Sequence, residues 1–175
     1  SKEIKFNFEN ISINNVIESA VKSLRWQAKE KSIAINAYFS SLPLIEGDSE
    51  RLSQVFHNLI ENAIKFTPKK GRIDVSTEKK GYSFIISVKD NGIGISPSKL
   101  DRIFDKFYQV DNSLTRKCHG SGLGLTICQG IVKAHGGEIK VKSELKKGTI
   151  FKVVLPYKKL GKPTEAFGEI IGGGH

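Results

Sequence analysis

The chain has 175 residues, 38% hydrophobic and 26% charged, enough for one folded domain with its own core. No apolar run approaches the roughly 18 residues of a membrane span, no charged-then-apolar leader opens the chain, and Cys118 and Cys128 have neither C-x-x-C nor metal-ligand spacing, which points to reduced thiols in a cytoplasmic domain. The formal charge of +10 raises nucleic acid, membrane surface and acidic protein as partners, but lysines scattered beside turns, as at Lys69-Lys70, Lys79-Lys80 and Lys146-Lys147, argue against DNA or RNA and suit an anionic nucleotide.

Methionine is absent even at position 1, so the expectation is a piece of a longer protein. Residues 11–31 read as an amphipathic helix, with Ser12 as cap and Ile13, Val16, Ile17, Ala20, Val21 and Leu24 at helical spacing. Residues 33–39 alternate like a strand, and Pro43 breaks the chain after them. Asp48 or Ser49 caps a second helix running to about Phe66, where Thr67-Pro68 ends it because a residue before proline avoids the helical region. Strands follow near 72–78 and 82–89, with Lys79-Lys80-Gly81 as the turn. Residues 91–122 read as irregular, and a third helix runs from about Leu123 to His135, stopped by Gly136-Gly137. Strands near 138–143 and 149–156 close a domain spanning 11–157. Residues 158–175 are a tail without clear period, and its end, Gly172-Gly173-Gly174-His175, reads equally as natural sequence or an added scar. Tight turns between consecutive strands imply antiparallel pairs. The order therefore predicts an α/β sandwich (α+β), a mixed, mostly antiparallel sheet with helices layered on one face.

Three segments carry chemistry. The second helix has a core face, Leu52, Val55, Phe56, Leu59, Ile60 and Ala63, and opposite it a polar stripe, Gln54, Asn58, Glu61, Asn62 and Lys65. A solvated face explains such a stripe in general. Asparagine is a poor mid-helix residue, however, and Asn58 and Asn62 sit one turn apart, where their amide oxygens suit magnesium. Asp90 ends a strand just before Asn91-Gly92-Ile93-Gly94-Ile95. A carboxylate there can accept from an exocyclic amine, and the glycines admit a flat ring. The bland alternative is an Asp-Asn-Gly turn. Gly120-Ser121-Gly122-Leu123-Gly124-Leu125 opens the third helix, where free N–H groups and the helix dipole favour phosphate. Its G-x-G-x-G spacing is neither a dinucleotide fingerprint nor a Walker A loop, and the long segment 105–121 before it reads as a lid.

In fixed order these three segments, with a fourth at 103–108, resemble the signature of the sensor histidine kinases: Gln54 to Thr67 the N box, Asp90 to Ile95 the G1 box, Ile103-Phe-Asp-Lys-Phe-Tyr108 the F box, and Gly120 to Leu125 the G2 box. The resemblance covers about residues 5–157. It implies the Bergerat ATP-binding fold, shared with gyrase, heat-shock chaperone and mismatch-repair ATPases, with ATP and Mg2+ as ligands. It implies Asn62 as the magnesium ligand, Asn58 and Lys65 as catalytic phosphate-side contacts, Phe66 as an aromatic flanking the nucleotide, and Asp90 as the adenine reader. Gly92, Gly94 and Ile95 would line the base and Thr149 would place a hydroxyl near it. Phe104 and Phe107 would hinge the lid, and Gly120, Gly122, Leu123, Gly124 and Leu125 would wrap the phosphates.

Related ATPases carry a water-activating glutamate one turn before the magnesium asparagine, where this chain has Asn58. An amide cannot act as general base, so the resemblance implies transfer to a protein histidine rather than hydrolysis. None of the four histidines, His57, His119, His135 and His175, has the setting of a phosphoacceptor. The acceptor is expected on a separate dimerisation helix pair of the same parent protein, with residues 1–10 as the connection that followed it, a response-regulator receiver domain downstream, and this domain itself monomeric. The alternatives are an ATPase conformational switch, a serine kinase of a regulatory protein, and a nucleotide-sensing module without chemistry.

Overall fold

The computed structural model describes residues 5–106, 108 and 124–157. A short strand β1 (Glu9–Ile11) leads into helix α1 (Ile13–Glu30), then strands β2 (Ala34–Phe39) and β3 (Ile45–Gly47), helix α2 (Ser49–Phe66), and the hairpin of β4 (Arg72–Lys80) and β5 (Ser83–Asp90). A single turn α3 (Pro97–Leu100), helix α4 (Gly124–Ala134) and the hairpin of β6 (Glu138–Glu144) and β7 (Gly148–Pro156) complete it. The main sheet has the order β2-β4-β5-β7-β6, with β2 parallel to β4 and every other pair antiparallel. The expected mixed, mostly antiparallel sheet under one helical layer is what forms.

Inward-facing strand residues follow the period of two: Ile73 and Val75, then Phe84, Ile86 and Val88, then Phe151, Val153 and Leu155, all buried. Above them α2 packs against both α1 and α4. Every residue of the α2 face read as core from sequence is buried, and Ile64 joins it. The helix starts where expected: Asp48 Oδ1 accepts from Arg51 N at 3.0 Å. It ends at Thr67, whose φ of −104° and ψ of 123° are extended, as the following proline requires. Ser12 caps α1 by accepting from Asn15 N at 3.3 Å.

Several boundaries differ from the sequence expectation. The β4–β5 turn is Gly81-Tyr82, with Gly81 at φ +60°, so Lys79 and Lys80 belong to β4. Segment 91–122 contains the short helix α3. The strands β1 and β3 went unread: each is three residues long, too short for a period, and they pair only with each other across the chain. Glu9 and Asn10, expected in a connecting segment, therefore lie inside the fold. No helix among the described residues is long and apolar enough to cross a membrane.

Candidate functional site

Asp90 is the last residue of β5, paired with Ile73 on one side and Thr149 on the other, so the sheet aims its side chain into the helix layer. It is 5% exposed. Its Oδ1 accepts from Gly92 N at 2.9 Å and Thr149 N at 3.2 Å. Among the described residues Oδ2 accepts nothing. Burial pushes the carboxyl up to about 6, against the two N–H bonds that favour its charge. The group is thus fixed, one oxygen saturated and the other presented as an acceptor.

A polar relay extends from it. Thr149 Oγ1 and Ser143 Oγ lie 2.7 Å apart, and Ser143 Oγ also donates to Gly148 O at 3.0 Å and accepts from Ile95 N at 2.7 Å. Ser143 has one proton, and Gly148 O takes it. Thr149 must then donate to Ser143, which leaves the threonine lone pairs for an incoming donor. Ser143 escaped sequence reasoning, although it shares the inward period of Ile139 and Val141 on β6.

The walls beside Asp90 are main chain. Ile93 N donates to Phe66 O at 3.0 Å, which ties the loop after β5 to the end of α2. A Cβ on Gly92 would collide with that same carbonyl. Gly94 has φ +72°, a conformation that side chains resist. Ile95 is 4% exposed.

The polar stripe of α2 is half-buried at Asn58, Asn62 and Lys65, while Gln54 is exposed. Gly124, the first residue of α4, lies so close that a Cβ would strike the Asn58 amide. Leu125 and Phe66 are half-buried nearby in sequence. Thr126 Oγ1 donates to Phe104 O at 2.8 Å and fastens the F-box segment to α4. Ile103 from that segment is buried. Phe107, Gly120, Gly122, Leu123 and His119 lie outside the described residues, as does most of segment 105–121.

His57 forms an i,i+4 pair with Glu61, Nδ1 to Oε2 3.4 Å, on the helix surface. His135 does more than end a helix. Its Nε2 accepts from Asp48 N at 3.0 Å and its Nδ1 meets Ile131 O at 2.8 Å, so the Nδ1–H tautomer locks α4 to the start of α2. Phe8 and Phe6 pack on its ring, with centroids 5.0 and 5.9 Å away.

The residues fit a purine nucleotide. Among the described residues, an unclaimed carboxylate oxygen, an unclaimed hydroxyl lone pair and close-packed glycines match an adenine amine and ring. No cluster of three or more His, Cys, Asp or Glu among the described residues is placed to hold a metal. Amide oxygens one helical turn apart suit a hard cation that keeps water and phosphate oxygens as its other ligands.

Comparison with known proteins gives the same direction. The family described as histidine kinase-, DNA gyrase B-, and HSP90-like ATPase matches residues 47–159. The sensor protein SrrB of Staphylococcus aureus is 36% identical over 159 residues, covering 87% of this chain and 27% of that protein's length. The chain thus spans about a quarter of the curated relatives it matches. Among solved structures, the catalytic domain of histidine kinase ThkA is 26% identical with a TM-score of 0.75, covering 86% of this chain and 96% of that one. Full-length ShkA in complex with AMPPNP is 31% identical with a TM-score of 0.79, covering 91% of this chain and 33% of that one.

Proposed function

Because this chain belongs to the histidine kinase-, DNA gyrase B-, and HSP90-like ATPase family, we propose that it binds Mg-ATP and passes the γ-phosphoryl group to a histidine on a separate helical domain of its parent protein. The observation that carries this reading is the Asp90 carboxylate, with Oδ1 held by two backbone N–H groups, Oδ2 without a donor among the described residues, and the close-packed glycines Gly92 and Gly94 following it.

In this proposal Asp90 Oδ2 accepts from the adenine amine and Thr149 Oγ1 offers a second acceptor beside it. Gly92, Gly94 and Ile95 flank the base, and Phe66 packs at its edge. The polar face of α2 runs from the base toward the phosphates: Lys65 supplies positive charge, and Asn58 and Asn62 supply amide dipoles. Magnesium, when bound, would neutralise charge developing between the phosphates, with Asn62 as its protein ligand. Catalysis by this chain is then positioning and electrostatic stabilisation, because phosphoryl transfer asks little covalent work of the protein. Asn58 cannot take a proton from water, so the nucleophile comes from the acceptor histidine. A response-regulator receiver domain would collect the phosphoryl group afterwards. SrrB is named a sensor protein and ShkA was solved with a nucleotide analogue, both of which support the reading.

The test is direct. Calorimetry should detect ATP binding that strengthens with magnesium and weakens about a hundredfold in Asp90→Asn. Incubation with [γ-32P]ATP should leave the chain itself unlabelled and label added acceptor helices from the same parent. Absence of heat on folded protein overturns the nucleotide site. Binding without label, joined to fast hydrolysis by the chain alone, replaces transfer with an ATPase switch.

A further inference from the structure

The main sheet has two edges, and they are built differently. The edge strand β6, Glu138-Ile-Lys-Val-Lys-Ser-Glu144, carries four charges, the usual protection against unwanted pairing. The opposite edge, β2, is Ala34-Ile-Asn-Ala-Tyr-Phe39, with no charge, proline or glycine. Its backbone direction is fixed by its partner: Ala34 N donates to Gly71 O at 3.1 Å and Ser40 N to Thr77 O at 3.2 Å. The even-numbered residues therefore bond to β4, and the N–H and C=O groups of Ile35, Ala37 and Phe39 point away from the sheet.

A cleft of about 500 Å3 adjoins this edge between the last turns of α1 and the start of β2, lined by Arg25, Ala28, Lys29, Ser32 and Ile33. Arg25 Nη1 donates to Ile35 O at 3.2 Å, so a cation already stands at an outward carbonyl. Neither Arg25 nor Lys29 has a carboxylate partner among the described residues. Two large aromatic side chains on the same two elements are open to solvent, Trp26 at 72% and Tyr38 at 59% exposure.

We propose that the β2 edge receives an extended acidic segment of a partner protein as a sixth strand. Main-chain bonds to Ile35, Ala37 and Phe39 would give affinity, as in strand addition generally. Carboxylates on the segment would meet Arg25 and Lys29, which have no acidic partner among the described residues. The chain's +10 charge favours an acidic segment over a basic one. This surface is independent of the nucleotide reading, because Asp90 and Thr149 lie on β5 and β7.

The probe is a fluorescein-labelled eight-residue peptide alternating glutamate and valine, with a lysine–valine peptide as control. Fluorescence anisotropy should show saturable binding of the acidic peptide alone. Ala37→Pro removes an outward N–H that β4 does not use, and edge strands accept proline at such a position. It should weaken binding at least tenfold while the circular dichroism stays unchanged. Arg25→Ala with Lys29→Ala should weaken it about fivefold or more. In the unaltered chain, amide exchange at Ile35, Ala37 and Phe39 should slow on peptide addition, which decides the matter even if the proline variant fails to fold. The proposal is overturned by no binding at millimolar peptide, by equal binding of the basic peptide, by unchanged exchange at those amides, or by an edge occupied through self-association of the chain.

Discussion

Asp90 holds its charge against its burial. With its folded value near 6 and an ordinary value of 3.8, ionisation disfavours the folded state. That cost is absent below the unfolded value, grows as pH rises between the two, and is complete above about 6. Asp90→Asn keeps the Oδ1 acceptor and removes the charge. Thermal unfolding should find the variant more stable than the parent at pH 7.5, by on the order of 2 kcal/mol, with the difference gone at pH 3.5. Binding runs the other way. In the proposed site a proton on Oδ2 would turn the acceptor into a donor facing the adenine amine, so calorimetric ATP affinity of the parent should fall about tenfold between pH 7.5 and 5. In Asp90→Asn it should be about a hundredfold weaker at pH 7.5 and show no such dependence on this group. Gly124 gives a second test. Alanine there gains helix propensity but pushes on the Asn58 amide. Stability should stay level or rise slightly, while phosphoryl transfer to acceptor helices drops about tenfold in a radiolabel assay.

α2 is the element on which the proposed site depends, since one face builds the core and the other carries Asn58, Asn62 and Lys65. Its start is held from three directions. Asp48 caps it through Arg51 N, receives Asn7 N at 2.8 Å, and donates its own N–H to His135. Burial works against the Asp48 charge, but the N–H bonds from Arg51 and Asn7 outweigh it and hold the carboxyl below its ordinary 3.8. The stability it contributes is therefore present above 3.8 and lost as pH falls through the folded value. Asp48→Ala should lower unfolding free energy by about 1–2 kcal/mol at pH 7, read by urea denaturation, and by less at pH 3. The same substitution loosens the entry of β1, because Asn7 loses its acceptor. The cap was legible in sequence from an aspartate before an apolar helical period. The contribution of His135 was not, because 87 residues separate it from Asp48.

At the scale of the whole molecule, one cluster of buried apolar residues runs from α1 through α2 and α4 to the sheet. Leu59 sits in it at 0% exposure. Leu59→Ala should cost about 2–5 kcal/mol, seen as a lower denaturation midpoint with all probes coincident. The net charge acts over the same scale. A field of +10 attracts a polyanion and is screened within about 10 Å at 0.1 M salt. ATP affinity should weaken several-fold between 50 and 500 mM NaCl, measured calorimetrically, and adenosine affinity should not.

Period and punctuation in the chain determine much of this protein. The spacing of Leu52 to Ala63 fixes which side of α2 is core, because burying one stripe of a helix leaves the other for chemistry. Thr67-Pro68, Gly136 and the two hairpins follow from local sterics, which a sequence states openly. Segments as short as β1 and β3 carry too few residues for any period, so only pairing across 34 residues or more reveals them. The state of Asp90 is likewise a tertiary decision: burial between sheet and helices raises its value, and the N–H groups of Gly92 and Thr149, which work the other way, engage Oδ1 and leave Oδ2 without a donor among the described residues. A sequence names the carboxylate, but only folding removes the water around it and aims what remains.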